Sequence, residues 1–351
     1  MISYQFMEHG QPLQKVLSTT PTPQGSEVLV RITRSGVCHS DLHIWDGYFE
    51  LGGGKRFYVK ERGCVPPFTL GHEPFGVVEA LGKKAKGVKV GQKRLVFPWI
   101  GCGKCAVCKA GRDNYCVSGT RFLGVNRPGA YATHVLVPDP KYLLDTKGID
   151  DAFAATLACS AVTVYSAIGK LPKIGKSEVV AVLGCGGLGL IAISVLRAKG
   201  VKHIVGCDID DAKLAAAMKQ GARRVVNTRA PDAAQQLAGI AAAVDLVGSP
   251  ATAALGIGAL RKGGRYVICG LYGGELTHSL PPIAQRAISI AGSYVGNLQE
   301  LKEVIALAKR RKLKPAPIET RPAARVNDSL QDLKAGRVLG RIVLDFSAEA
   351  A

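Results

Sequence analysis

The sequence lacks several features that would assign it to a special class of protein. It has no internal repeat and no low-complexity segment, and its 351 residues are 47% hydrophobic and 21% charged, a composition typical of globular chains. Its first residues, MISYQFMEHGQPLQKVL, have no basic start, apolar core or small-residue cleavage site of a secretory signal. We therefore expect a cytoplasmic globular protein with two domains.

Acidic residues are scarce relative to basic ones. The chain has 46 Lys and Arg residues against 27 Asp and Glu residues, which gives a formal net charge of +19. Such an excess would suit a nucleic acid or an acidic surface as a partner. The basic residues are spread along the whole chain instead of forming one arm, and this favours a solvated surface. We expect neither nucleic acid nor a membrane as a partner.

One hydrophobic run has the length of a short membrane span. Residues 179–196, VVAVLGCGGLGLIAISVL, are uncharged and mostly apolar. The four glycines within this run favour a buried strand, a tight turn and a helix instead. In a cytoplasmic chain the ten cysteines would be reduced, so metal binding or catalysis is a better interpretation of them than disulfides.

The pattern of apolar runs divides the chain into three parts. In residues 161–294, short β-branched runs alternate with Ala-rich helical stretches, which predicts a doubly wound parallel sheet. Its strands are predicted at 179–183, 203–208, 224–227, 243–248, 265–270 and 288–293. Residues 1–160 contain short strands with many Gly and Pro breaks, which predicts a mostly antiparallel domain. Residues 295–351, with a helix at 298–313 and a closing strand, are predicted to return to that first domain.

The run GCGGLG has the spacing of a dinucleotide-binding turn. Gly184 would permit the tight turn, Gly186 the approach of a pyrophosphate, and Gly189 close packing of helix and strand. The turn follows an apolar strand and opens a helix, and Asp208 ends the next strand. Its carboxylate would accept hydrogen bonds from the ribose hydroxyls and repel a 2′-phosphate, which favours NAD over NADP. The other residues expected to contact the cofactor are Gly187, Leu188 and Lys213.

Three separated segments, CHSDLH, GHE and LACSAVTVY, provide two thiolates and one imidazole. Cys38, His72 and Cys159 would give a metal three protein ligands and an open fourth position. This is the pattern of a catalytic zinc site, and alcohol dehydrogenase is the standard example of it.

A second group of cysteines lies in GCGKCAVCKAGRDNYC, residues 101–116. Its members are Cys102, Cys105, Cys108 and Cys116. Their close spacing is compatible with a redox cluster, a disulfide knot, a nucleic-acid-binding zinc knuckle or a metal site that stabilises a loop. Four thiolates would leave a bound zinc no open position, which is typical of a structural site.

Six motifs together resemble those of one enzyme family. GVCHSDLH, LGHEPFGVV, CGKCAVCKAGRDNYC, LACSAVTVY, VLGCGGLGL and GRIVLDF occur in the order found in zinc-dependent alcohol dehydrogenases of the medium-chain dehydrogenase/reductase family. The resemblance covers nearly the whole chain. It implies an α/β oxidoreductase with a GroES-like catalytic domain and a Rossmann coenzyme domain. It also implies NAD and two zinc ions, one catalytic and one held by the four clustered cysteines.

The resemblance assigns catalytic roles to residues around the first zinc. Cys38, His72 and Cys159 would bind the zinc, Glu73 would assist ligand exchange, and Asp41 would hold the ring of His72. A zinc-bound alkoxide would release hydride to the nicotinamide. Its proton would leave through Ser40, a ribose hydroxyl of the cofactor and His43. His39 and Arg341 match positions that contact the cofactor diphosphate.

The same resemblance places three bulky side chains at the substrate pocket, namely Trp45, Trp99 and Tyr294. They would favour small or slender alcohols and aldehydes. A polyol, diol or secondary-alcohol dehydrogenase is the alternative, although such relatives often have Glu in the place of Cys159. A basic zinc-knuckle nucleic-acid binder is an alternative of another class. We expect a homotetramer, with a dimer as the other possibility. Residues 44–70 are longer than in compact family members and would border the pocket or an interface.

Overall fold

A computed structural model describes residues 1–349. The strands are β1 (Ile2–Phe6), β2 (Gln14–Leu17), β3 (Val28–Val37), β4 (Tyr48–Gly52), β5 (Lys55–Tyr58), β6 (Phe68–Thr69), β7 (Pro74–Leu81), β8 (Lys93–Val96), β9 (His134–Val137), β10 (Leu143–Leu144), β11 (Val179–Leu183), β12 (His203–Asp208), β13 (Arg224–Asn227), β14 (Ile240–Asp245), β15 (Leu260–Ile268), β16 (Ser289–Gly292), β17 (Ile318–Pro322) and β18 (Arg341–Asp345). The α-helices are α1 (His39–Asp46), α2 (Ala106–Lys109), α3 (Asp151–Thr156), α4 (Val162–Gly169), α5 (Gly187–Ala198), α6 (Asp211–Gln220), α7 (Ala233–Leu237), α8 (Pro250–Ala259), α9 (Leu280–Gln285), α10 (Leu298–Lys309) and α11 (Val326–Lys334).

The largest sheet belongs to the first domain, and we call it the catalytic sheet. It has the order β10-β8-β7-β3-β18-β17, with β9 also paired to β3. β3 is its central strand, and it pairs antiparallel with β7, β9 and β18. Residue Ile342 of β18 faces Val37 of β3, so the end of the chain shares a sheet with its beginning. Most of β3 is buried because partners cover it along its length.

The six-stranded sheet of the second domain, which we call the coenzyme sheet, is parallel throughout. Its order is β13-β12-β11-β14-β15-β16. Central strands such as β11 (VVAVL) are continuous apolar runs because helices cover both faces of such a sheet. The predicted α/β fold is confirmed. The chain order reverses between β11 and β14, and the loops after these strands therefore border the crevice in which such folds bind ligands.

Three strands of this sheet differ from their predicted limits, and at β16 (Ser289–Gly292) the difference is one residue at each end. β14 ends at Asp245, whereas the apolar pattern extended it to residue 248, and β15 begins at Leu260 instead of residue 265. The reason at β14 is the buried carboxylate of Asp245, which accepts the N–H groups of Val247 and Gly248 at 2.8 and 2.9 Å and turns the chain. The Asp245 carboxylate also accepts hydrogen bonds from Thr252 and Tyr266.

The apolar run at 179–196 forms β11, a glycine-rich turn and α5, as predicted. Within residues 1–349, one helical stretch, Asp151–Gly169, is long and apolar enough to cross a membrane. It comprises α3, a wide π-helical turn (Leu157–Ala161) and α4. Because 78% of it is buried inside the protein, it is a core helix of this fold.

The long segment 44–70 forms a β-hairpin that reaches the coenzyme domain. β4 and β5 pair antiparallel, and a 3₁₀ turn, Val59–Arg62, follows them. At the hairpin tip, a Cβ on Gly52 would overlap Glu275. A Cβ on Gly273 would in turn overlap Glu50. Only glycine allows this contact between the hairpin and the loop that follows β15.

Candidate active site and cofactor crevice

The first metal-binding candidate gathers three ligands from three elements. Cys38 is the residue before α1, His72 precedes β7, and Cys159 lies in the π-helical turn. All three are buried, and their potential ligand atoms, with those of Glu73, lie within 4.8 Å of one another. The Cys38 and Cys159 sulfurs are 3.9 Å apart. The structure therefore brings together the three residues that the sequence placed in separate motifs.

Asp41 fixes the orientation of the imidazole. Its Oδ1 lies 2.9 Å from Nδ1 of His72, and its Oδ2 accepts hydrogen bonds from the Cys38 N–H at 3.0 Å and the Tyr131 hydroxyl at 2.8 Å. Because Nδ1 faces the carboxylate, a neutral imidazole that donates from Nδ1 carries its lone pair on Nε2. That Nε2 atom is buried and has no hydrogen-bond partner. A buried acceptor without a partner is costly unless it binds a ligand.

This donor set fits zinc. Two thiolates at Zn–S distances of about 2.3 Å around a tetrahedral ion have their sulfurs roughly 3.8 Å apart. The observed separation of 3.9 Å agrees with this value. The hydrogen bond between the two thiols lowers the pKa of Cys38 and raises that of Cys159, so one thiolate is favoured without a metal and zinc binding would release the second proton.

Glu73 forms a buried ion pair with Arg341 beside the cluster. One carboxylate oxygen pairs with the guanidinium, while the other, Oε2, is buried without a partner. A Cβ on Gly36 would overlap the Glu73 side chain, so glycine is required there. The stem of Arg341 lies against Gly187 at the start of α5. This arginine thus links the metal-binding cluster to the glycine-rich turn.

The second cysteine group is a compact cluster at the surface. The sulfurs of Cys102 and Cys108 are 3.9 Å apart, and those of Cys105 and Cys116 are 4.0 Å apart. These distances also suit a tetrahedral zinc ion. A hydrogen bond from the Cys108 N–H lowers the pKa of Cys105 to about 6, whereas burial raises that of Cys108 to about 12. Zinc requires deprotonated thiols, so binding of the ion would deprotonate both cysteines despite the difference in their pKa values.

The glycine-rich turn has the geometry of a diphosphate site. Gly184 has a φ of 90°, which a side chain would disfavour, and a Cβ on Gly189 would overlap the Gly184 carbonyl. Around Gly186, by contrast, nothing lies within 4 Å of an added Cβ. This open space in front of the α5 N-terminus fits an approaching pyrophosphate. Leu188, the second residue of α5, packs against the hydrophobic core.

Asp208, at the end of β12, lies beside this turn. Its Oδ2 accepts the Cys185 N–H at 2.7 Å, and its Oδ1 accepts the N–H groups of Ile209 and Asp210. Carboxylate oxygens have further lone pairs, so ribose hydroxyls could still be bound.

His39 is the first residue of α1, and Lys213 lies in the first turn of α6, which follows β12. The surrounding protein lowers the pKa of His39, and repulsion from Arg341, His43 and Lys213 lowers it further, while Cys38 raises it. The contacts of His39 and Lys213 with the cofactor stay predictions.

Comparisons with known proteins agree with this geometry. Residues 24–147 match the family model described as alcohol dehydrogenase GroES-like domain, and residues 187–310 match that described as zinc-binding dehydrogenase. A NAD-dependent alcohol dehydrogenase of Sulfurisphaera tokodaii is 36% identical over 351 residues, covering 98% of this chain and 99% of that protein. The chain belongs to the zinc-dependent alcohol dehydrogenase family.

Solved structures of similar proteins share the whole fold. The alcohol dehydrogenase of the archaeon Aeropyrum pernix has a TM-score of 0.89 and 31% identity, with 98% of this chain and 100% of that chain covered. An acetophenone reductase of Geotrichum candidum, solved in complex with NAD, has a TM-score of 0.86 and 28% identity, with 98% and 96% covered.

Within this alcohol dehydrogenase fold, an aromatic wall lies beside the ligand cluster. The ring of Trp99 is 5.4 Å from the His72 ring, and its indole N–H donates to the Ala158 carbonyl at 2.8 Å. Phe122 lies 5.5 Å from Trp99 and 6.4 Å from Tyr294. Trp99 and Tyr294 are thus joined through Phe122 beside His72, and their place in a substrate pocket stays a prediction.

Trp45 lies elsewhere. Its indole N–H donates to the Gln11 carbonyl at 2.5 Å, and its ring faces the Lys334 ammonium at 5.4 Å. Neither partner belongs to the ligand cluster. Trp45 occupies the face of α1 that packs against α11, and we do not keep it among the pocket residues.

The proposed relay residues lie on the other face of α1. Ser40 is partly exposed, and the ring of His43 stacks on Phe49 with a centroid distance of 4.7 Å. Burial lowers the pKa of His43. Sequence reasoning missed Phe49, Phe122 and Tyr131. The aromatic pairs that flank Gly52–Gly54 are a hairpin signal that could have indicated Phe49. No local signal indicates the other two, because their partners are distant in the sequence.

Proposed function

We propose that this chain catalyses reversible hydride transfer between NAD and an alcohol or its aldehyde or ketone. The observation that carries the proposal is the convergence of two thiols and the free Nε2 of His72 within 4.8 Å. This cluster is linked by Arg341 to a glycine-rich turn with open space for a diphosphate. Family membership supports the reaction class, and the carboxylate of Asp208 supports NAD over NADP.

Cys38, His72 and Cys159 would hold the catalytic zinc. Zinc in this site would supply Lewis-acid chemistry that makes an alcohol hydroxyl more acidic, and NAD would accept the hydride. The carboxylate of Asp41 keeps the proton on Nδ1 of His72 and the lone pair on Nε2. The buried ring of Trp99 beside His72 would help to exclude water from the reacting end of the pocket.

The proton of the alcohol would leave by way of Ser40 and His43. The Ser40 hydroxyl can accept and donate at the same time, and a ribose hydroxyl of the cofactor would connect it to the imidazole. Because burial lowers the pKa of His43, its ring is neutral at physiological pH and can accept the proton. His43 is partly exposed, so it can pass the proton on to solvent.

Glu73 and Arg341 would act together. Arg341 would donate to the cofactor diphosphate while it neutralises the buried carboxylate of Glu73. Oε2 of Glu73 has no partner, which leaves it free to assist ligand exchange at the zinc, as proposed for this position.

A second zinc would be bound by Cys102, Cys105, Cys108 and Cys116. Four thiolates leave no open position, so this ion would stabilise the surface loop at 101–116 and would not take part in the reaction. We further propose a cytoplasmic homotetramer, on the basis of the sequence alone.

Trp99, Phe122 and Tyr294 would form one wall of the substrate pocket and favour slender alcohols over bulky ones. A secondary-alcohol dehydrogenase is the second candidate, because the acetophenone reductase of Geotrichum candidum has nearly the same fold.

The deciding experiment measures reduction of NAD and NADP over a panel of primary alcohols, secondary alcohols and diols. Zinc-replete protein should oxidise primary alcohols with NAD, and preincubation with a chelator should abolish turnover. Faster turnover of secondary alcohols would select the second candidate. No turnover of any alcohol by zinc-replete protein would refute the proposed reaction.

A further inference from the structure

Residues 293–297 connect β16 to α10 and include Tyr294 of the aromatic wall. The next residue, Val295, is 9% exposed and has a φ of 39°, a left-handed conformation that β-branched residues rarely adopt. Such a conformation costs energy and persists only where the surrounding structure holds it. The contacts of this segment therefore decide where the ring of Tyr294 lies.

The segment is held at both ends. The Ser293 N–H donates to the Ile268 carbonyl at 2.8 Å. A Cβ on Gly296 would lie 2.8 Å from the carbonyl oxygen of Val162, so only glycine lets the segment pack this closely on the first residue of α4. Between these two contacts lies the carbonyl of Tyr294, which accepts a hydrogen bond from one donor within residues 1–349.

That donor is the side chain of Asn114, which belongs to the loop of the four cysteines. Its Nδ2 donates to the Tyr294 carbonyl oxygen at 3.2 Å, and the residue is 3% exposed. Because a carbonyl oxygen can only accept, the NH₂ group of the amide must face it. The amide oxygen is buried without a hydrogen-bond partner, which has a cost that a small apolar side chain would avoid. The stability of the loop alone therefore does not account for an asparagine at this position.

Asn114 is presented from a fixed support, the 3₁₀ turn Asp113–Tyr115. The buried carboxylate of Asp113 accepts a hydrogen bond from the buried Tyr142 hydroxyl at 3.0 Å, and Tyr142 directly precedes β10. The Cys116 N–H donates to the Asp113 carbonyl at 3.1 Å. The turn is thus attached to the catalytic sheet on one side and to the cysteine cluster on the other.

The same loop is flanked by the two other rings of the aromatic wall. Trp99 precedes the first of the four cysteines, and Phe122 follows the last. The Phe122 ring lies 5.5 Å from Trp99 and 6.4 Å from Tyr294. Through Asn114, the loop therefore holds the third ring as well, although Tyr294 follows β16, the edge strand of the coenzyme sheet.

We propose that Asn114 is a positioning residue that sets the width of the substrate pocket by fixing Tyr294. Its hydrogen bond goes to the backbone of Tyr294, so it acts on the substrate only through that ring. Without the hydrogen bond, the backbone at Val295 can relax from its left-handed conformation, and the ring of Tyr294 can move away from Phe122. Bulky alcohols should then become better substrates relative to slender ones. This inference rests on the proposed alcohol dehydrogenase function and adds a residue that determines its substrate preference.

The test compares two isomeric primary alcohols, 1-pentanol and 2,2-dimethyl-1-propanol, which are oxidised to aldehydes by the same chemistry. The wild type should prefer 1-pentanol. Asn114→Ala should lower this preference, measured as the ratio of the two kcat/KM values, about two- to tenfold, as expected for the loss of one hydrogen bond. The change should lie in KM, with kcat for 1-pentanol and the zinc content as in the wild type. Asn114→Asp keeps the shape of the side chain but cannot donate when ionised, and should act in the same direction.

Tyr142→Phe is the matched control, because it removes a hydrogen bond from the same turn without a contact to Tyr294. It should keep the wild-type preference even if Tm falls. A double-mutant cycle with Tyr294→Ala then shows whether Asn114 acts through that ring. Adding Asn114→Ala to Tyr294→Ala should change the preference no further. The proposal fails if Tyr142→Phe loses the preference equally, if the two losses add in the double variant, or if the wild type does not discriminate between the isomers.

Hydrogen exchange provides a measurement that does not depend on turnover. Asn114→Ala should accelerate amide exchange in residues 293–297 about two- to tenfold, and Tyr142→Phe should leave it unchanged. Wild-type exchange in Asn114→Ala, or faster exchange with an unchanged preference, would overturn the proposal. If the wild type oxidises no alcohol at all, the proposed function fails, and hydrogen exchange alone decides whether Asn114 fixes Tyr294.

Discussion

Replacing Asp41 with Asn tests whether the hydrogen bond to His72 prepares the metal ligand. The carboxylate accepts three hydrogen bonds, from His72 Nδ1 at 2.9 Å, the Cys38 N–H at 3.0 Å and the Tyr131 hydroxyl at 2.8 Å. An amide has one acceptor oxygen and one donor nitrogen, and it cannot satisfy all three groups. The substitution keeps the shape of the side chain and removes one half of its accepting capacity.

Either orientation of the amide has a cost. If its oxygen faces His72, its NH₂ group meets the N–H of Cys38 and leaves a buried donor without a partner. If its NH₂ group faces His72, the ring must move its proton to Nε2, which then cannot bind zinc. An unsatisfied buried group costs about 1–3 kcal/mol, which corresponds to roughly 5- to 150-fold in an equilibrium constant. Loss of such outer partners typically costs about 10–100-fold in metal affinity or activity.

The assay measures zinc affinity by competition with a chromogenic chelator, and kcat/KM after loading with excess zinc. Asp41→Asn should weaken one of the bound zinc ions by about 10–100-fold and lower kcat/KM. Asp245→Asn is the control, since Asp245 is equally buried and also accepts several hydrogen bonds, but in the coenzyme domain. Wild-type zinc affinity in Asp41→Asn, or an equal loss in Asp245→Asn, would refute the reasoning.

Three further predictions concern other parts of the site. Arg341→Ala should destabilise the protein by about 3–5 kcal/mol in urea unfolding, because Glu73 loses its buried partner, and should raise the KM for NAD far more than that for the alcohol. Adding Glu73→Gln should restore stability but not the KM for NAD, and an unchanged KM would contradict the cofactor role. Cys105→Ser should reduce bound zinc from two ions to one per chain and lower Tm; full stability with one zinc fewer would rule out a structural role. His43→Gln should slow alcohol oxidation, most strongly near neutral pH, and added imidazole should restore part of the rate; an unchanged pH profile would exclude His43 from the proton path.

The pKa of His43 also has a consequence for stability. Burial lowers it below the usual value of about 6.5. The unfolded chain therefore binds this proton at a higher pH than the folded chain does. The contribution of His43 to stability is present above about pH 6.5 and is lost as the pH falls through the folded pKa. His43→Gln should remove this part of the acid dependence in urea unfolding.

Elements with continuous apolar runs were predictable from the sequence. β11, β12 and β13 have the predicted limits, since buried parallel strands consist of such runs and end at glycine or polar residues. β14 was misplaced by three residues because its end depends on the Asp245 carboxylate, whose hydrogen bonds form only in the fold. Helix α10 ends at Lys309, four residues before the predicted limit.

The candidate metal ligands could be named because their motifs resemble those of a family, whereas the aromatic residues beside them could be named only in part, since Phe122 was missed. Trp45 and His43 are two residues apart on one helix, and the sequence does not tell which face of α1 packs against α11. Phe122 joins Trp99 to Tyr294, although the three residues are far apart in the chain. Such contacts depend on how the domains pack, and no local pattern encodes them.

The π-helical turn at Leu157–Ala161 sets the direction of a metal ligand independently of how the core helix packs. A π turn contains about one residue more than an α turn, and each residue of an α-helix rotates the chain by roughly 100°. The extra residue sets the direction of the Cys159 thiol without changing the face that α4 packs against α5. A one-residue deletion in this turn would put the two helical halves out of phase, so the thiol and the packed face could not both keep their directions. Insertions and deletions in the family should therefore be rarer in this helix than its apolar, Ala-rich sequence suggests.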